Sequence, residues 1–446
     1  MNKKNYISLA LGLFSILFFS LSCQKNEFMP DPMGEKVPFE DTVTSTLSQL
    51  LKGTNELKVF SAAWEKSTVK KKISERGEKT KATVFAPTDE ALRKQGFTTA
   101  EIATMTVADV DSLVFFYVSL GNIKVDELKD RVDNFVVKSM LTKPGLSVNY
   151  FEGNPEGTMA YDPYFYRHYV RIQEETIVVN GKKAGKLNYR PAIDGGLYLL
   201  ETTVEKPEKT MLQVLEADGR FKMFVESQRL TDEMFVQNMI DEIEPWYGFR
   251  PSEEDMRNSW ASYRFYYERG WIVEPKPYEG YKGPNIAIST IFAPTDDAFR
   301  KAGFNTVEDI LQFNIARGDA RFDMDLFAIA GGYPMDTVYS YHRNWGRIVQ
   351  PETTGKDKAS GNTTVFFSND LTPRLNEYMV NIGGNVTMEY AYKMPLAFST
   401  SNGQIQIKVK DSEHAPANVI ETDILTLNGP VHVLDNLLLP KGFKLK

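Results

Sequence analysis

The sequence predicts a two-domain protein in which each domain mixes short helices with short strands. Three observations carry this expectation. The phrase TVFAPTDEALRKQGF (Thr83 to Phe97) returns as TIFAPTDDAFRKAGF (Thr290 to Phe304), 207 positions later, with eleven of fifteen letters unchanged. The chain has 446 residues, and at roughly 100–200 residues per domain it holds two or three units, each able to bury its own core. A repeat at half the chain length favours two. Each copy also sits within the same order of patterns: paired helices, strand, capped helix, amphipathic helix and closing strand.

The N-terminus MNKKNYISLALGLFSILFFSLSC has a basic start (Lys3, Lys4), an apolar run and small residues before Cys23. That is the layout of a secretory signal over residues 1–22. The single cysteine stands at its end and resembles the lipid-bearing cysteine of bacterial lipoproteins. Ser22 fits the position before the cut, while Ser20 departs from the usual leucine. Acyl chains on Cys23 would anchor the protein at about 0.8 kcal/mol per buried CH₂. In the lipidated linker, residues 23–40, Cys23 is followed by QKNEF (Gln24 to Phe28), which resembles the signals that direct lipoproteins to the outer face of a Gram-negative outer membrane. The linker continues as a Pro- and Gly-containing tether.

Within the repeated phrase, Thr83 to Ala86 form an apolar, β-prone strand that Pro87 stops. Thr88 is the expected N-cap, Asp89 and Glu90 place negative charge in the first helical turn, and Gly96 with Phe97 closes the helix. The second copy repeats these signals through Pro294, Thr295, Asp296, Asp297, Gly303 and Phe304. The phrase contains no nucleophile paired with a base. Amphipathic helices are expected after each copy, over TVADVDSLVFFYV and NTVEDILQFNI. Paired helices open each domain, in LSQLLKGTNELKVFSAAWEKS and MLQVLEADGRFKMFVESQRL. A glycine turn, an apolar strand and a proline close each, in GGLYLLETTVEKP and NGPVHVLDNLLLP.

These phrases and their order resemble the signature segments of fasciclin-like domains. The resemblance implies an α+β chain of two tandem domains, residues 41–207 and 208–440. Each would be a wedge-like β-sandwich flanked by short helices, used for adhesion and extracellular interaction without catalysis. Many members place a Tyr-His pair at the end of the helix after the first motif. The corresponding letters read Phe116–Tyr117 in the first copy and Phe313–Asn314 in the second, without the histidine. Some adhesive members use an Asp-Ile pair before the closing strand. Asp423 and Ile424 match it, with His432 and Asp435 downstream, whereas RPAIDGGLYLLE has lost it in the first copy. A core Ile424 beside a turn-bonding Asp423 is the structural alternative.

The copies differ most in an aromatic insertion of the second domain near residues 244–283. It carries Trp246, Tyr247, Trp260 and Trp271 among other rings. Exposed Trp and Tyr stack on sugars or anchor protein interfaces. The same residues would also serve to seal the two domains together, and both readings stand. A smaller stretch of this kind holds Tyr161, Tyr164, Phe165, Tyr166 and His168, and PETTGKDKASGNTT reads as a polar loop.

Charge and composition exclude several functions. The net charge is −7, or −9 without Lys3 and Lys4, with both signs well mixed, so no nucleic-acid partner is expected. One cysteine and four scattered histidines (His168, His342, His414, His432) predict no disulfide, metal or cofactor. Glu253 to Asp255 and the Asp319, Asp323, Asp325 group lack complete catalytic or calcium-loop patterns.

The expected protein is a non-enzymatic outer-membrane lipoprotein of the cell surface. Its partners are the membrane, through the lipid, and an extracellular protein or glycan. An accessory subunit of an outer-membrane uptake system, touching a transporter, is the alternative.

Overall fold

Why the chain writes one phrase twice is answered by where its aspartate goes. In the computed structural model, which describes residues 43–129, 131–150, 160–257, 285–286, 288–323, 325, 328–343, 347–349, 365–377, 379–381 and 391–445, Asp89 and Asp296 each tie a helix elsewhere in their domain. Residues 43–446 form one compact unit.

The first domain opens with α1 (Leu47–Gly53), where the Thr46 hydroxyl accepts from the Gln49 N–H and the Gln49 side chain accepts from the Thr46 N–H. A 3₁₀ turn leads to α2 (Lys58–Lys66), which buries Val59, Phe60, Ala63 and Trp64, and then α3 (Val69–Ser74). β1 (Ala82–Pro87) is buried along its whole length, and α4 (Asp89–Lys94) follows with Thr88 as N-cap. The Asp89 carboxylate accepts the Val59 N–H at 2.8 Å, satisfying one of the orphan donors at the start of α2. The strand-and-helix phrase is thus pinned to the opening helices by its own first-turn acid.

Beyond α4 come α5 (Thr99–Thr104), α6 (Val107–Phe116), β2 (Val118–Leu120) and the short α7 (Val125–Leu128). A long hairpin, β3 (Phe135–Tyr150) and β4 (Ala160–Gln173), continues into β5 (Thr176–Val179), β6 (Lys182–Lys186), β7 (Tyr189–Ala192) and β8 (Gly195–Leu200). One sheet has the order β2-β1-β8-β7, with β1 and β8 parallel. Gly195 permits that close pairing: its φ is +152°, and a Cβ there would lie 1.7 Å from the Ala82 carbonyl oxygen.

The second domain rebuilds this frame from α8 (Met211–Ala217), α9 (Lys222–Tyr247), α10 (Glu253–Arg257), β9 (Asn285–Ile286), β10 (Ile291–Pro294), α11 (Asp296–Lys301) and α12 (Val307–Arg317). β11 (Arg321–Asp323), β12 (Ala328–Ala330) and α13 (Pro334–His342) follow. The remaining strands are β13 (Arg347–Val349), β14 (Met379–Asn381), β15 (Ala391–Lys393), β16 (Leu396–Ser401), β17 (Gln404–Val409), β18 (Ala417–Thr426) and β19 (Gly429–Leu434). β10 and β19 pair in parallel as β1 and β8 do. Gly429, at φ +122°, would place a Cβ 1.9 Å from the Ser289 carbonyl oxygen. Asp296 accepts the Met223 N–H of α9 at 2.8 Å, repeating the Asp89 tie.

The frame is α+β in both halves, and the halves share their cores. Ile286, Ile288, Val365, Phe367 and Leu427 pack within the first domain's apolar cluster, and Val132 packs within a cluster of the second. β9 extends the β6-β5-β4-β3 sheet in parallel with β3. The extra length of α9 has its own core: Phe235, Val236, Met239, Ile240 and Ile243 meet Met256 of α10, Phe322 of β11 and Tyr333. The insertion after the opening helices therefore packs against a second insertion, the β11–β12 hairpin.

Candidate functional site

The adhesion candidates Asp423 and Ile424 lie on β18 beside an irregularity in its pairing with β19. Asp423 takes a left-handed φ of +58°, uncommon for a residue other than glycine. Its side chain turns toward the first domain, where it meets Gly181 in the turn between β5 and β6. A Cβ on Gly181 would come within 2.5 Å of Asp423 Oδ2. Both carboxylate oxygens are engaged: Oδ1 accepts the Ser368 N–H at 2.7 Å and Oδ2 accepts the Ser368 hydroxyl. The cleft beside it, lined by Asn180, Lys182, Thr203, Glu205 and Leu425 among others, has a volume of about 30 Å³. That is room for about one water and not for a sugar or a side chain. Asp423 is 7% exposed. Ile424 pairs with Val431 and is half-buried against the second core.

The contact between the domains continues into a buried polar network. Arg171 of β4 donates to the Val132 carbonyl at 2.7 Å and to the Asn369 carbonyl, and its Nη1 lies 3.4 Å from Asp370 Oδ1. Asp370 Oδ2 accepts from Asn134 Nδ2 at 2.7 Å and from the Phe367 N–H at 2.9 Å. Burial pushes the Asp370 carboxyl up to about 8 against the opposing pull of Arg171, and burial also lowers the Arg171 guanidinium. Sequence reasoning missed this cluster because Asn134 and Arg171 are some two hundred positions from Asp370. The aromatic stretch of β4 serves the same contact. Tyr164 and Tyr166 are buried, the Tyr164 hydroxyl donates to the Leu427 carbonyl at 2.7 Å, and Tyr169 packs on Phe367.

The Tyr-His expectation for the second domain requires correction. β1 residue Val84 pairs with Val118 on one side and Leu197 on the other, while Ile291 pairs with Arg343 and Val431. Tyr117 therefore corresponds to His342, and Tyr198 to His432. Tyr341–His342 ends α13 and occupies the position assigned to Phe313–Asn314, which lie on α12. The β11–β12 insertion separates this pair from its motif, so counting from the repeated phrase stops one helix early.

The substitution preserves chemistry. Tyr117 Oη accepts the Val204 N–H at 3.1 Å, and His342 Nε2 accepts the Leu438 N–H at 3.0 Å. His342 Nδ1 donates to the Phe292 carbonyl at 2.7 Å, which fixes a neutral tautomer. Tyr198 donates to the Ile123 carbonyl at 3.1 Å, and His432 Nε2 donates to the Phe366 carbonyl at 2.8 Å. Burial lowers His342 and His168 to about 4, and lowers His432 against the pull of Asp423. These imidazoles are structural hydrogen-bonding groups, and no acid cluster joins them into a metal site among the described residues.

The aromatic candidates divide. Trp246 and Tyr247 close α9 after Pro245, and with Phe249 they are 71%, 55% and 61% exposed. Gly248, at φ +70°, ends the helix with its N–H on the Glu244 carbonyl. Trp260 and Trp271 lie outside the described residues, as do the signal 1–22, Cys23, the tether 23–40 and the polar stretch 351–364. Glu253, Glu254 and Asp255 are exposed on α10. Asp319 caps the Gly332 N–H at 2.9 Å, and Asp323 accepts from the Asp325 N–H. No helix among the described residues is long and apolar enough to cross a membrane.

Residues 55–182 match the fasciclin domain family. The second domain carries the same parallel strand pair, acid tie and close-approach glycine. The chain is thus an α+β protein with two tandem fasciclin-like domains. No curated protein matches it. Among solved structures it is similar to a fasciclin-domain pair from the insect cell adhesion molecule fasciclin I, at 14% identity and a TM-score of 0.25, covering 86% of this chain and 96% of that one.

Proposed function

We propose that the protein is a non-enzymatic cell-surface binding protein, held by a lipid on Cys23 at the outer membrane of a Gram-negative bacterium. Its two fasciclin-like domains, packed against each other, present an adhesive surface. The observation that carries this reading is the exposure of Trp246, Tyr247 and Phe249 at the end of a helix whose preceding turns are packed in a core. A surface so anchored presents large rigid rings at low entropic cost. Asp423, by contrast, is already bonded to Ser368 and faces Gly181. The fasciclin-domain match over residues 55–182 agrees with a binding function.

The test is attachment. The full chain, displayed on cells that lack it, is expected to increase their adhesion to protein- or glycan-coated surfaces. Changing Trp246, Tyr247 and Phe249 together to alanine should abolish the increase while leaving display unchanged. Adhesion that is unaffected by either step would end this reading. Radiolabelled palmitate incorporation that survives Cys23→Ala would remove the lipid anchor from it.

A further inference from the structure

The aromatic end of α9 carries a charge pattern that selects its partner, and this inference rests on the binding role proposed above. From Phe235 through Ile243 the inward positions of α9 are apolar and buried. The next turn exposes three rings within four residues, with Tyr247 and Phe249 5.8 Å apart. Single exposed apolar residues are ordinary, whereas a contiguous group marks an interaction site.

Around the rings the charge is strongly one-sided. From Gln237 to Arg257 the chain has six carboxylates, on Asp241, Glu242, Glu244, Glu253, Glu254 and Asp255, against Arg250 and Arg257, a local balance of −4. Gln237 donates to Glu253 at 3.0 Å, so α10 folds back along α9 and brings its acids to the same region. The carbonyl end of a helix adds negative potential there.

The protein's own Arg250 shows how this surface receives a guanidinium. Its Nη1 donates to Glu244 at 2.6 Å and to Asp241 at 3.3 Å, and its Nη2 donates to Gln237 at 3.2 Å. Glu242 precedes Trp246 by four residues and so shares its helix face. It is exposed and makes no ion pair among the described residues. A second guanidinium placed over the Trp246 ring and against Glu242 would gain cation–π attraction and a charged hydrogen bond together.

We propose that the end of α9 docks an arginine-bearing surface of a protein partner, with Trp246 as the stacking platform and Glu242 as the carboxylate. Phosphate-rich and uronic-acid-rich ligands are disfavoured there by the same charge. The test uses the full-length chain and a fluorescent octa-arginine peptide, read by anisotropy, with octa-lysine and maltoheptaose in parallel. Octa-arginine should bind more tightly than octa-lysine, and maltoheptaose should not bind.

Trp246→Ala, which changes no charge, should weaken octa-arginine about tenfold, and Glu242→Gln about threefold. Glu78→Gln, the same charge change on the first domain, should leave binding unchanged. Wild-type affinity in Trp246→Ala would overturn the proposal, since general attraction of an acidic chain would then suffice. Preferential binding of maltoheptaose would overturn it in favour of a glycan platform. Binding that appears only after deletion of residues 258–284 would assign the rings to the chain's own following segment. In each of those cases, adhesion of displayed cells that persists leaves the binding role intact and removes only this partner class.

Discussion

The two domains build the same frame from largely the same devices and diverge in what they do with the rest of the chain. In each, the motif aspartate ties an opening helix, a glycine admits the parallel strand pair, and an aromatic ring stacks on the residue beside it. Phe85 lies on Tyr198 at 5.0 Å, and Phe292 on His432 at 5.5 Å. Where the domains diverge, the first spends its long β3–β4 hairpin on the contact with its neighbour. The second extends its opening helix to 26 residues and exposes the end of it. Repetition therefore marks the scaffold, and divergence marks the interface and the candidate binding surface.

The largest effect should follow from breaking what the domains share. Gly195→Ala and Gly429→Ala each drive a methyl group into a backbone oxygen at positive φ, in a strand with no room to retreat. Each should cost more than about 4 kcal/mol and sharply reduce soluble folded protein, as circular dichroism on heating would show. A variant that melts within a few degrees of the wild type would mean that the two glycine turns are not equivalent supports.

Breaking what joins the domains comes next. Arg171→Met removes the cation from beside Asp370 and leaves the Val132 and Asn369 carbonyls without their donor. Leaving those two buried carbonyls without their donor should cost about 1–3 kcal/mol each. Because this contact joins the two halves, calorimetry should show one unfolding transition for the wild type and two for the variant. A single transition with unchanged midpoint would show that the apolar contacts alone couple the domains.

Exchange of Tyr117 for His342 makes this one position respond to acid in the second domain and not in the first. The imidazole is held near 4 when folded and titrates near 6.5 when unfolded, so between those values the unfolded chain binds the extra proton. Stability from this group is complete above pH 6.5 and is lost as pH falls toward 4, up to about 3 kcal/mol. Tyr117, pushed up to about 12, contributes nothing in that window. His168 adds a similar loss in the first domain. His342→Gln should therefore be less stable than wild type at pH 7 but lose less on acidification, with the difference between the two denaturation curves narrowing by about 3 kcal/mol between pH 7 and pH 4. Parallel curves would show that His342 is not the acid-sensitive group.

The scaffold was legible because its causes are local. Thr88, Gly96 and Phe97 cap and close α4 within their own turn: the Phe97 N–H reaches the Leu92 carbonyl at 3.0 Å, and Phe304 repeats it with Phe299. The long-range ties were not legible. Asp89 reads as a first-turn acid, yet its carboxylate is committed to Val59, thirty residues away. His342 was visible as a letter but lay behind an insertion whose presence the spacing alone could not reveal. The two aromatic stretches have similar composition and opposite fates, since β4 faces the neighbouring domain while the last turn of α9 runs past its core. Composition reports ring content, and only the path of the chain decides which rings water reaches.

The smallest expected effect on stability sharpens that last contrast. Trp64 is 2% exposed on α2 and its indole N–H donates to Ser48 at 2.9 Å, whereas Trp246 is 71% exposed. Truncating the first to alanine leaves a cavity and should cost about 3–5 kcal/mol. Truncating the second removes little packed area, and Trp246→Ala should shift urea-unfolding stability by no more than about 0.5 kcal/mol. If Trp246→Ala costs several kcal/mol, its ring is holding the fold together and is not available to a partner. If it costs nothing while adhesion falls, the residue is retained for what lies outside the molecule.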